Sequence, residues 1–148
     1  MNNTVVLHQD GSNIIYISSF YQLIPFSFAI YYHIYDSSIV TGITFFTSIN
    51  YWRKPIKNSI RRYIDINCVL LGMCYHLYLI YYYSLSNKYY YMIGIGSLLY
   101  PIEYKIPKNN YYRIAICHSL LQIIACNICV CICYDINNKL IEFKKTTI

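Results

Sequence analysis

Five stretches of this 148-residue chain carry no formal charge beyond what a protonated histidine would add: 11–35, 37–52, 66–87, 89–102 and 114–134. That spacing constrains the fold more than any other feature. A bilayer core of about 30 Å is crossed by about 20 helical residues. Three apolar runs reach that length: 14–35, 63–83 and 114–134. Two are short, 38–52 and 90–104. Each short run either crosses tilted, with Tyr and Trp at the headgroups, or lies as a re-entrant or interfacial segment. Unpaired backbone groups cost several kcal/mol each in lipid, and five isolated strands could not close a barrel. The runs are continuous rather than alternating, unlike barrel strands. The expected fold is therefore an all-α, polytopic membrane helix bundle of four to five transmembrane helices, forming one domain over 1–148. Pro25 lies inside the first run, where its missing N–H predicts a kink.

Composition agrees. The chain is 57% hydrophobic and 12% charged, against about 25% charged in a typical soluble domain. A soluble protein of this size must cover a large surface with polar groups, and these residues cannot supply it. The 27 Ile and 3 Ala point to an A/T-rich coding bias, which discounts the 20 Tyr as a functional signal. The net charge of +6 would suggest nucleic acid in a soluble protein. Here the basic residues lie between apolar runs, so no nucleic-acid partner is expected. The seven Cys sit in or at the ends of apolar runs and do not read as a secreted disulfide framework. The first ten residues have no Lys or Arg, so no signal peptide is expected.

Five of the twelve basic residues fall in one segment: Arg53, Lys54, Lys57, Arg61 and Arg62. By the positive-inside rule, loop 53–62 is cytoplasmic. With five spans, loop 105–113 (Lys105, Lys108, Arg113) joins it, and the tail (Lys139, Lys144, Lys145) lies opposite. With four spans, that loop and the tail exchange sides. Each topology places eight basic residues inside and four outside, so charge alone leaves both open.

Polar residues inside lipid are expensive and mark sites by default. Asp65 and His76 are eleven residues apart, which puts them on one helical stripe with Val69 and Gly72. His118 and Gln122 share a face of the last run, as do Ser48 and Trp52 in the second. A metal or proton site between helices is one reading, with His118 and Asp65 as candidate zinc ligands. Ordinary interhelical hydrogen bonding is the other. Cys126, Cys129 and Cys133 share a face that could take a soft metal or simply pack. Gly94 and Gly96 read as a close packing point. No Walker motif, GxSxG or Ser-His-Asp order is present.

Ser48, Asp65 and the pair His118 and Gln122 together resemble the pattern of the membrane-hydrolase superfamily that contains alkaline ceramidases and adiponectin-receptor-like proteins. There, Ser-x-x-x-His in an early helix, an Asp further on and His-x-x-x-His in the last helix assemble a zinc site. Ser48 and His118 match, and Asp65 falls about two residues late. Trp52 stands at the first histidine and Gln122 at the last. The family has seven spans. The resemblance implies a metal-dependent lipid-amide hydrolase or its inactive descendant. The small size and the stretch "SINYWRKP" also resemble multi-pass membrane proteins of large DNA viruses.

The leading expectation is a non-enzymatic membrane component without cofactor, structural or interacting with other membrane proteins, whose surroundings are the lipid bilayer. A zinc hydrolase of ceramidase type is the alternative, and a small transporter or channel a third reading. The candidate polar cluster is Ser48, Asp65 and His118. The second and last helices are expected to pack beside the third, so that Ser48, Asp65 and His118 converge near one membrane face, and that convergence predicts five spans. His76, about three turns deeper, then takes no part.

Overall fold

The computed structural model describes residues 7–107 and 110–146. Among these residues the chain is helical throughout its regular structure, with no β-strand. The elements are α1 (Gln9–Ser19), a 3₁₀ turn (Phe20–Gln22), α2 (Leu23–Tyr31), α3 (Tyr35–Trp52), α4 (Ile60–Tyr82), α5 (Lys88–Lys105) and α6 (Tyr111–Thr146). Three stretches are long and apolar enough to cross a membrane: Gln9–Tyr31, Ile60–Tyr82 and Tyr111–Thr146.

The 3₁₀ turn explains itself through Pro25. A proline ring inside a helix clashes with the carbonyl four residues earlier, which here belongs to Tyr21. The helix tightens at Phe20–Gln22, and α2 resumes with Pro25 buried near its start. Ser18 and Ser19 add to the bend by donating to the Ile15 carbonyl, each at 2.9 Å. The first apolar run is thus one bent rod, α1–α2.

Two boundaries differ from the sequence expectation. The basic loop is 53–59, because Ser59 caps α4 and accepts the Arg62 N–H at 3.3 Å. Arg61 and Arg62 therefore stand in the first turn of α4. Asn58 takes φ 61°, a left-handed conformation that Asn tolerates. The last run, expected over 114–134, lies in a 36-residue helix, about 54 Å long at 1.5 Å per residue. Its charged end past Tyr134 is anchored: Tyr89 donates to Asp135, and the Lys139 ammonium donates to the Ser84 carbonyl at 2.8 Å. Lys108, counted in the second basic loop, lies outside the described residues.

Five rods alternate in direction, up and down, through short connections. The bent rod packs against α3 and α6, α4 packs along α3, and α5 packs along α6. Helix α4 meets α5 and α6 more lightly. The last helix thus sits mainly against the bent rod rather than beside α4 as expected. Two apolar clusters close opposite ends. One holds Leu7, Ile15, Tyr51, Trp52 and Ala115. The other is built around Leu79, Ile80, Tyr89, Ile128, Ile132 and Ile136.

Between them the interior is lined with small hydroxyls: Ser18, Ser19, Ser37, Ser38, Thr41 and Ser48 are all buried. Several bond to their own helix, as Thr41 does to the Ser37 carbonyl at 2.8 Å. The exterior is the reverse. Ile17, Phe46, Leu71, Tyr81 and Tyr91 each expose more than 60% of their surface. Apolar groups outside and small polar groups between helices are the arrangement that lipid favours.

Candidate functional site

The short loop 53–59 turns α3 back into α4 as an antiparallel pair. Ser48, one turn before the end of α3, then faces Asp65, just over one turn into α4. The Ser48 hydroxyl donates to Asp65 Oδ1 at 2.7 Å. Both residues are buried, with 2% and 7% of their surfaces exposed. The Gln22 amide nitrogen of the bent rod lies 3.5 Å from the Ser48 oxygen, at the outer limit of a bond.

Trp52 lies one turn beyond Ser48 on α3, and its ring stands 4.8 Å from the ring of His118 on α6. The other face of that histidine is held by α5: His118 Nδ1 lies 3.0 Å and 3.1 Å from the two Glu103 oxygens. An ionised carboxylate only accepts, so the ring nitrogen is the donor. Asp65 and His118 share no hydrogen bond; α3 links them, holding Asp65 through Ser48 and His118 through Trp52. The bundle end next to the basic loop therefore gathers Ser48, Trp52, Asp65, Glu103 and His118 from four helices.

The remaining candidates go elsewhere. Gln122, on the same face of α6 as His118, is turned to the bent rod. Its oxygen accepts from Ser18 and its nitrogen donates to Ser19 at 3.1 Å. Ser119 donates to Ser18 at 3.0 Å, completing a knot of three serines and one glutamine. His76 sits three turns along α4 from Asp65. Its Nδ1 bonds the Gly72 carbonyl at 2.7 Å, while its buried Nε2 has no partner. Cys126 and Cys133 are buried and Cys129 is partly buried, all as free thiols. The Cys133 sulfur lies 3.6 Å from the Ser37 hydroxyl. Among the described residues, no three His, Cys, Asp or Glu side chains converge as a metal site would require.

Sequence reasoning underused Glu103. It is the only acidic residue between 66 and 134, and an isolated carboxylate in an apolar run needs a partner. Its partner is His118, on the next helix. Ser18, Ser19 and Ser119 carried no signal, since serine is unremarkable in any helix.

The chemistry available is limited by closure. The Asp65 and Glu103 carboxylates are each engaged by a neighbour. Two surface clefts, of about 240 and 210 Å³, are lined by Tyr16, Phe46, Ile49, Asn50 and Arg53, and by residues around His33 and Asp36. Neither opens onto Ser48, Asp65 or His118. Among the described residues, fold and site together define an all-helical bundle with an apolar exterior, three helices long and apolar enough to cross a membrane, and polar groups that pair with one another inside. The chain matches no protein-family model, no curated protein and no solved structure.

Proposed function

We propose that this chain is a five-span integral membrane protein with a non-enzymatic role, structural or in contact with other membrane proteins. One observation carries this reading. The polar groups that could do chemistry are paired with each other, Ser48 with Asp65 and Glu103 with His118, and none of them lines the clefts beside Arg53 and His33. The up-and-down course of the rods supports five spans. The short helices α3 and α5 have 18 residues each, about 27 Å, close to the hydrocarbon thickness. In that topology loops 53–59 and 106–110 are cytoplasmic, and residues 84–87 and the end of α6 lie opposite. Cysteines introduced for Lys57 and Lys145 in a chain lacking the native seven test it. A membrane-impermeant maleimide should label Lys145→Cys in sealed, outward-facing cells and Lys57→Cys only after permeabilisation. Labelling of both from one side gives four spans or another topology.

A second reading has its own observation. The positions that match the membrane-hydrolase pattern lie together at one bundle end, with Trp52 against His118 and Ser48 on Asp65. This supports an inactive descendant, in which Trp52 and Gln122 replaced two zinc ligands. Metal analysis of purified protein tests for an active hydrolase: stoichiometric zinc would replace the non-enzymatic role with a catalytic one, while an inactive descendant holds none.

A further inference from the structure

At the basic end of the bundle, the cleft of about 240 Å³ between α1 and α3 has an unusual lining. Phe46, Ile49, Asn50 and Arg53 fall at i, i+3, i+4 and i+7 of α3 and so share one face. Tyr16 of α1 forms the opposite wall. The wall is thus graded: apolar Phe46 and Ile49 toward the bundle middle, then the Asn50 amide and the Arg53 guanidinium at the end. A bilayer lipid has the same gradient, from acyl chain to headgroup.

Charge complements shape. Arg53, Lys54 and Lys57 are exposed in the adjoining loop. Arg61 and Arg62 stand beside them, and Arg113 is exposed at the start of α6. The ion pairs of the described residues are His8–Asp10, Lys88–Asp135 and His118–Glu103, so none neutralises this group. Arg61 and Arg62 also occupy the first turn of α4, where the helix dipole favours anions over cations. Such a cluster attracts anionic headgroups, and an arginine fork binds phosphate in bidentate fashion.

We propose that this cleft seats one anionic glycerophospholipid of the cytoplasmic leaflet. Its phosphate lies on Arg53 and Asn50, and its acyl chain runs along Phe46 and Ile49. The inference rests on the membrane-spanning reading above and adds a site to it.

The lone tryptophan, Trp52, is next to Arg53 and reports on the lipid there. Purified protein is reconstituted in phosphatidylcholine vesicles. Increasing fractions of bromine-chain phosphatidylserine or bromine-chain phosphatidylcholine are then introduced as quenchers. Phosphatidylserine should reach half-maximal quenching at about a fivefold lower mole fraction, the advantage expected of one basic contact. Arg53→Gln should bring the two curves together without shifting the tryptophan emission maximum. Lys144→Gln, near the far end of α6, should leave them apart. Equal quenching by both lipids in the native protein overturns the site while leaving the membrane reading intact. Quenching by neither lipid overturns the membrane reading as well. Relief of quenching by soluble glycerophosphoserine makes the occupant a free phosphate compound and also overturns the proposal.

Discussion

Asp65 and Glu103 set the terms at the scale of single residues, because each needs a hydrogen-bond donor in a medium that offers none. Ser48→Ala leaves the Asp65 carboxylate without its 2.7 Å donor and should cost about 1–2 kcal/mol. Asp65→Asn, which can still accept, should cost less. A double-mutant cycle read by unfolding in mixed micelles should return a coupling of about 1 kcal/mol; additive effects would mean that the bond contributes nothing. His118→Ala removes the donor to Glu103 and one wall of the Trp52 pocket, so it should both destabilise the bundle and shift the Trp52 emission. Glu103→Gln should do neither strongly, since an amide oxygen still accepts from the ring. The Ser48–Asp65 bond was legible in the sequence. A short loop leaves little freedom in pairing two helices, and both residues lie about one turn from it. The Glu103–His118 bond was not, because the rotation of α5 about its axis depends on packing against α6, and α5 has no strong apolar face to announce it.

Among the helices, close approach rather than hydrophobicity decides the pairing. A methyl group added at Gly42 would stand 3.1 Å from the Phe26 ring, inside ordinary contact distance. A methyl added at Gly94 would meet nothing within 4 Å. Gly42→Ala should therefore lower stability by about 1 kcal/mol or more through the shift it forces on α2. Gly94→Ala should raise it by a few tenths to about 1 kcal/mol through helix propensity. Thermal unfolding of the two variants should move in opposite directions, and a shared sign would discredit the α2–α3 contact. Gly94 and Gly96 were expected to mark a packing point, but a methyl at Gly94 meets nothing within 4 Å and one at Gly96 only Ile124 at 3.9 Å, whereas Gly11 and Gly42 are the tight positions. Helix existence was readable from charge-free length. Helix ends were not: charge marks where lipid stops, while α6 continues past Tyr134 because Asp135 and Lys139 find partners at Tyr89 and Ser84.

The molecule as a whole is closed by its two extremes, since the bent rod and α6 share the serine–glutamine knot while α4 and α5 sit at the flanks. Cutting the chain after Lys139 keeps the bond to the Ser84 carbonyl and, among the described residues, removes only exposed ones; it should leave the melting temperature nearly unchanged. Asp135→Ala, which removes the Lys88 ion pair and leaves the Tyr89 hydroxyl only the Cys131 carbonyl, should cost about 1–2 kcal/mol; if the truncation proves the more damaging change, the end of α6 is part of the fold. The knot also has a consequence in time. Ser18 and Gln122 are 104 residues apart, and a ribosome adds about 5–20 residues per second. The first rod therefore waits some 5–20 s for its partner, its hydroxyls facing whatever the membrane-insertion machinery presents. A variant that weakens the knot should therefore show its defect first during synthesis, as a first rod that stays longer without its partner, read by pulse-chase proteolysis.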